Sequence, residues 1–207
     1  QNMLKIVRIF TISLLILLLS CKEESNQKTI INENLKPTHN DLLNADLYFP
    51  KDYKLTSIDD FERKLSESRS NFEITQVSIG SIEKMKSISH LTTLYTDSLN
   101  FENYIYITKG EFVDLNKNIA TQYSSMLNNS VESNWANNGI NFKLLENKYF
   151  QKNQKKFVKI KYEQEFNKVK KYLTQYLISG KGKTFSVMVC NFKNEDFEKE
   201  LKMLKLK

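Results

Sequence analysis

Two kinds of apolar periodicity run through the chain and predict its elements. Apolar residues recur every three to four positions from Ile58 to Leu65 and from Phe112 to Val131, which predicts two amphipathic helices. In the carboxyl-terminal half, apolar and polar residues alternate instead, which predicts strands. These strands are expected at residues 140–149, 156–165, 169–179 and 184–192. The pattern therefore predicts a four-strand meander after a long helix.

Capping residues mark two helix starts, one of them in a helix not yet named. Ser57 precedes the first helix, and Asp60 stands where a capping box places its partner. Asn194 is expected to cap a last short helix whose apolar stripe begins at Phe197. The folded region should therefore begin and end with a helix.

The middle of the chain is less regular. Residues 72–80 and 103–108 alternate as strands, although the alternation of the first run slips in phase. Residues 81–94 fit either helical spacing or a strand. Both alternatives stay open for that segment.

The amino-terminal residues form a pattern of their own. A basic opening through Arg8 precedes a nearly unbroken apolar run from Ile9 to Leu19. As a helix this run is about 17 Å long, too short for a hydrocarbon core of roughly 30 Å. The order is that of a secretory signal peptide, and Ser20 followed by Cys21 completes a sequence that resembles the lipobox of bacterial lipoproteins.

The lipobox resemblance implies a maturation pathway and a domain organisation. Residues 1–20 would be removed, and Cys21 would carry diacylglycerol and an N-acyl chain; no other cofactor is expected. Residues 21–46 are polar and are predicted to be the acylated cysteine and a flexible tether. Residues 47–207 are predicted to form a single globular domain.

The three residues that directly follow Cys21 indicate where in the cell envelope the protein is placed. Lys22, Glu23 and Glu24 resemble the surface-export tag of lipoproteins in one Gram-negative phylum. That resemblance implies an outer-membrane protein anchored in the outer leaflet and facing outside. The alternative is a solvated charge run at the head of a linker.

Charge and composition limit the partners. The formal net charge is +7, and removal of residues 1–20 leaves +5. Nearly all basic residues are lysines, whereas base and phosphate recognition favours arginine, so no nucleic-acid partner is expected. The expected partners are the membrane, through the lipid, and an unidentified envelope protein or glycan.

The densest run of lysines suggests a binding face. Lys155, Lys156, Lys159 and Lys161 could form a positive face towards anionic lipid or polysaccharide. Because Val158, Ile160 and Tyr162 alternate with lysines, the alternative is an antiparallel sheet whose second face is simply in water.

The sequence lacks the motifs of common catalytic and metal sites. It has two histidines and none of HExxH, CxxC, GxSxG or GxGxxG, so the protein is expected not to be an enzyme or to bind a metal. His39 lies in the predicted tether, and His90 is expected to be a partly buried structural residue. Cys190 lies in a predicted interior strand, where a buried, inert thiol is expected.

Two weaker features remain. Trp135 stands among asparagines at the end of the long helix, where it could stack on a sugar or anchor a partner, or else plug the core. Asp97, Ser98 and Leu99 resemble the O-glycosylation motif of secreted proteins in the same phylum, with Ser98 as acceptor. A plain turn between strands explains the same three residues.

The order of elements resembles a known fold. A helix, strands, a long helix, a four-strand meander and a closing helix are similar to the PsbP-like fold, an α+β arrangement with an antiparallel sheet between helices (an α/β/α sandwich). The resemblance implies a non-catalytic binding or assembly module. The alternative function is a membrane-anchored immunity protein that protects against a secreted toxin.

Overall fold

The computed structural model of the chain describes residues 35–67, 82–135, 140–166 and 168–207. The strands are β1 (Leu35–Asn40), β2 (Ala45–Pro50), β3 (Tyr53–Thr56), β4 (Thr92–Asp97), β5 (Tyr104–Gly110), β6 (Asn141–Lys152), β7 (Lys155–Phe166), β8 (Val169–Gly180), β9 (Lys183–Asn191) and β10 (Lys205–Leu206). The helices are α1 (Ile58–Glu67), α2 (Lys117–Trp135) and α3 (Glu198–Met203), with a helical segment at 82–87 and a 3-10 turn at Ser89–Leu91.

A seven-stranded antiparallel sheet forms the centre of the domain. Its strand order is β3-β4-β5-β9-β8-β7-β6, so β3 and β6 are its edges. The predicted meander is confirmed as β6 to β9, joined by tight turns. Asn153 and Gln154 form the β6–β7 turn, and Lys181 and Gly182 form the β8–β9 turn; all four have positive φ, as two-residue hairpin turns require.

A second, three-stranded sheet contradicts part of the predicted tether. Strands β1, β2 and β10 pair in the order β1-β2-β10, so residues 35–46 belong to the folded domain and the predicted tether boundary at residue 46 is wrong. The reason is burial: Leu43, Ala45 and Leu47 pack in the core, and the alternation of β2 begins before residue 47. Pro37 is tolerated because β1 is an edge strand.

The large sheet is covered on both faces. On one face α1, the helical segment 82–87 and α2 pack against the strands, as the helical periodicities predict; Phe61 and Leu65 of α1 are buried there. On the other face lie the small sheet and α3, whose Leu201 is buried. The fold is therefore α+β, an antiparallel sheet flanked by helices, and the prediction of one face in water is wrong.

The capping prediction at α1 is confirmed. The Asp60 amide donates to Ser57 Oγ at 3.1 Å, and Ser57 Oγ donates to the Asp60 carboxylate at 2.9 Å. The stripe that begins with Ile58 faces the sheet, with Ile58 itself half-buried against the core.

The other two helices begin later than predicted. Helix α2 starts at Lys117 rather than Phe112, because the Asn116 side chain accepts the Ile119 amide at 3.0 Å and caps the helix there. Helix α3 begins after Phe197, and Asn194 makes no cap. Asn194 has a φ of 58° and its carbonyl accepts from the Lys161 ammonium instead.

The ambiguous middle segment contains both structures. Residues 82–87 are helical, and β4 starts at Thr92, so each alternative holds for half of the segment. The strand predicted at 103–108 is confirmed as β5, whereas the strand predicted at 72–80 lies outside the described residues. Within the described part of the chain, no helix has the length and hydropathy of a membrane span.

Candidate functional site

A group of opposite charges lies between the large sheet and α3. At its centre the Lys159 ammonium is 2.5 Å from Glu146 Oε2, 2.9 Å from Asp196 Oδ2 and 2.8 Å from Glu198 Oε2. Only 3% of the Lys159 side chain is exposed. Lys148, Lys161 and Lys202 complete the group, which we call the Lys159 cluster: Glu146, Lys148, Lys159, Lys161, Asp196, Glu198 and Lys202.

The charges of the Lys159 cluster stabilise one another. Burial lowers the pKa of Lys159, but hydrogen bonds to Glu146, Glu198 and Asp196 outweigh burial and raise that pKa well above its ordinary value. Burial raises the pKa of Glu198, yet bonds from Lys148, Lys159 and Lys202 lower it to about 2. Both groups are therefore charged at neutral pH. The cluster therefore holds α3 on the sheet.

This arrangement predicts a loss of stability in acid. A carboxyl whose pKa is lowered in the folded state contributes stability above its unfolded pKa, and that contribution is lost as the pH falls through the folded pKa. For Glu198 this window runs from its ordinary value of 4.5 down to about 2. We expect the urea midpoint of the wild type to fall across this window, and Glu198→Gln to show a smaller fall. The exposed Glu83→Gln variant should follow the wild type; equal slopes in all three proteins would contradict the assignment.

Three other lysines hold the carboxyl-terminal segment by its backbone. Lys155, predicted as a binding residue, is buried. Lys155 donates to the carbonyls of Lys202 and Leu204, Lys181 to that of Leu206, and Lys183 to those of Leu43 and Lys207. These bonds and the pairing of β10 with β2 fix the segment over the sheet.

The predicted lysine face is therefore not a contiguous exposed patch. Lys155, Lys159 and Lys161 are buried and point to the covered face of the sheet. Lys156 points to the opposite face and lies 2.5 Å from the Asp114 carboxylate. The prediction of a binding face on these four residues is wrong because carboxylates and carbonyls distant in sequence reach their ammonium groups.

Exposed positive charge gathers instead at one end of the large sheet. The β6–β7 and β8–β9 turns lie at this end because both hairpins close there. We define the basic end by Lys109, Lys152, Lys181 and Lys183. Lys109, Lys152 and Lys181 are exposed and Lys183 is half-buried. Among the described residues, no aspartate or glutamate forms an ion pair with any of these four lysines.

An aromatic side chain lies at the same end. Phe112 follows β5 and is 55% exposed, so it is not the core residue that its place in the predicted helix implies. The next residue is fixed to the sheet: the Val113 amide donates to Thr184 Oγ1 at 2.8 Å, and its carbonyl accepts from Ser179 Oγ at 2.6 Å. Phe112 is thus held beside the β8–β9 turn.

The opposite end of the sheet has mixed charge. There the β4–β5 and β7–β8 turns meet the end of β9, with lysines and acids in similar number. They are Lys51, Lys168, Lys193, Asp52, Glu102 and Glu195. Leu35, the first described residue, pairs with Pro50 at this end, near Asp52, whose carbonyl accepts the Ser98 amide at 2.8 Å.

Two open grooves lie on the helical face. The larger, about 450 Å³, runs between β3 and α1 and is lined by Leu55, Ile58 and Leu94 among others. The second, about 390 Å³, lies between α2 and β6, with Ser124 and Tyr149 in its wall. In the ranges that the structure describes, no three acidic, histidine or cysteine side chains come together as a metal site would need.

Of the other residues that the sequence singled out, some lie in the part of the chain that the structure describes and others do not. Ser98 is exposed in the β4–β5 turn, so the predicted turn is confirmed and its glycosylation stays a prediction. Cys190 is buried as predicted. Cys21, the predicted tag Lys22, Glu23 and Glu24, and the side chain of Trp135 lie outside the described residues.

The two histidines do not occupy the predicted environments. His90 is exposed on the 3-10 turn rather than partly buried. His39 lies in β1 rather than in a tether, and its Nδ1 is 2.9 Å from the Asp46 carboxylate. Neither ring contacts a second histidine or a cysteine among the contacts of the described residues.

Comparison with known proteins identifies the fold. No protein-family model and no curated protein sequence matches the chain. The solution structure of cyanobacterial PsbP (CyanoP) from Synechocystis sp. PCC 6803 is similar, with a TM-score of 0.54 and 8% sequence identity over 84% of this chain and 93% of that chain. The predicted PsbP-like fold is therefore confirmed; at this identity the likeness concerns the fold.

Proposed function

We propose that this protein is a lipid-anchored envelope lipoprotein whose PsbP-like domain is a non-catalytic binding and assembly module on the cell surface. The signal-like amino terminus and Cys21 support the anchor. Lys22, Glu23 and Glu24 support export to the outer face.

One observation carries the binding role: the lysines fall into two populations. The buried lysines of β7 are used within the domain, because they hold α3 and the carboxyl-terminal segment. At the basic end, Lys109, Lys152 and Lys181 are exposed and have no carboxylate partner among the described residues. Lys181 also donates to the Leu206 carbonyl, and the half-buried Lys183 bonds only to backbone oxygens. A surface of unneutralised charge is what a binding module presents to a partner.

The internal chemistry of the domain supports a binding role over catalysis. A general acid or base works best with a pKa near the working pH. In the Lys159 cluster the pKa of Lys159 is raised and that of Glu198 is lowered to about 2, so both are moved away from neutrality. The larger groove holds the ion pair of Lys86 and Asp59, where hydrogen bonds to Glu62 and Asp59 raise the pKa of Lys86 and so also move it away from neutrality.

Protease treatment of intact cells tests surface display. Proteinase K should remove the domain of the wild-type protein from whole cells while a periplasmic protein stays intact. A variant with Lys22→Ala, Glu23→Ala and Glu24→Ala should stay lipidated and become protected, because it loses the proposed export tag. Full protection of the wild type would refute surface exposure, and equal cleavage of both proteins would refute the tag.

A further inference from the structure

We propose that the basic end binds an acidic polysaccharide, with Phe112 against a sugar ring and the turn lysines paired with its carboxylate or sulfate groups. This inference rests on the proposed function, which places the domain among glycans of the cell surface. It assigns the partner class and the residues that contact it.

The geometry of the basic end suits a linear polymer. Strands β6, β7, β8, β9 and β5 are consecutive neighbours in the sheet. At about 4.8 Å per strand, four spacings separate β6 from β5, so Lys152 and Lys109 stand roughly 19 Å apart with Lys181 and Lys183 between them. A chain with one negative charge at regular intervals can follow this row.

The charge balance at this end is positive. Two further lysines there are neutralised, Lys156 by Asp114 and Lys207 by Asp46, and Glu111 and Asp41 are the exposed acids nearby. The row of Lys109, Lys152, Lys181 and Lys183 remains unpaired by carboxylates of the described residues. Lys181 gives one of its three ammonium donors to the Leu206 carbonyl, whereas Lys183 gives all three to backbone oxygens of Leu43, Asn44 and Lys207. These bonds leave both positive charges in place, so Lys183 contributes charge and Lys109, Lys152 and Lys181 contribute free donors.

Phe112 supplies the apolar contact. The face of an aromatic ring carries partial negative charge, which attracts the polarised C–H groups on one face of a sugar. Its neighbour Val113 is bonded to Ser179 and Thr184, so the ring is presented with little loss of backbone entropy. An exposed aromatic at the same end of the sheet as the lysines thus offers both contacts that an acidic sugar needs.

Another anionic partner fits less well. Single-stranded nucleic acid is bound on several aromatic side chains with arginines, whereas this end has lysines and Phe112.

The test uses the full-length acylated protein in detergent, titrated with fluorescent polygalacturonate at low salt, with neutral dextran as reference. The double variant Lys152→Glu, Lys181→Glu should bind polygalacturonate at least about tenfold more weakly. The matched control Lys51→Glu, Lys193→Glu changes the net charge equally at the opposite end and should lose less than about twofold. Phe112→Ser should weaken binding several-fold and leave its salt dependence nearly unchanged.

Each other outcome overturns the inference. Equal loss in the control variant would mean that net charge alone drives binding, and tight binding of neutral dextran would remove the role of charge. Tighter binding of a single-stranded oligonucleotide, or of phosphatidylglycerol vesicles, through the same lysines would assign another partner. No polygalacturonate binding, with protease accessibility on cells unchanged, would refute this inference while leaving the proposed function standing.

Discussion

Replacement of Lys159 by alanine should lower the free energy of unfolding by about 3 kcal/mol. Removal of one partner from a buried ion pair costs about 3–5 kcal/mol, because the remaining charge is left buried. Here Lys159 neutralises Glu146, Asp196 and Glu198 together. The lower end of the range applies because Lys148, Lys161 and Lys202 still contact those carboxylates.

Urea unfolding of wild type and variant measures this effect, and the chain offers a control on the neighbouring strand. Lys170 of β8 pairs with Glu163 at 2.8 Å but is half exposed, so Lys170→Ala should lower the urea midpoint much less than Lys159→Ala does. Similar losses in the two variants would show that the Lys159 cluster is no more than a surface ion pair.

The Lys159 cluster also shows where sequence patterns mislead. Alternation of Val158 and Ile160 with Lys159 and Lys161 is typical of a strand with one wet face, and the strand itself is confirmed. The lysines are nevertheless buried, because Asp196 and Glu198 come from 35 or more residues further along the chain. The alternation of residues within β7 contains no information about carboxylates so far along the chain. The strand could therefore be predicted from the sequence, but the burial of its lysines could not.

The long helix gives a second example. Phe112 and Leu115 extend the helical spacing backwards, and Leu115 is indeed buried, but the helix starts at Lys117. Asn116 was the available signal, since asparagine is a preferred capping residue and it is bonded to the Ile119 amide. With that boundary Phe112 falls in the connection from β5, where an exposed aromatic becomes a candidate for binding.

The basic end was partly predictable. Lys181 stands in a Gly180-Lys181-Gly182 turn, which the sequence marks as a hairpin between two strands. What the sequence does not contain is the strand order: β5 pairs with β9 across more than 70 residues of chain, and this pairing places Lys109 in the same row. Each hairpin turn of the basic end could therefore be predicted from local residues, whereas the row of lysines could not, because it depends on the strand order of the sheet.

Replacement of Cys21 by alanine should release the protein from the membrane fraction. Each buried methylene of an acyl chain contributes about 0.8 kcal/mol, so one chain binds weakly and two or three bind durably. The variant has no sulfur to acylate at the proposed site and should fractionate with soluble envelope proteins. Cys190→Ala, which removes the other cysteine, from the buried strand β9, should stay in the membrane fraction.

The most direct test of the account is metabolic labelling with palmitate. Wild type and Cys190→Ala should both incorporate label, and Cys21→Ala should incorporate none. Label retained by Cys21→Ala, or absent from the wild type, would contradict the claim that acyl chains on this one residue hold the domain at the envelope.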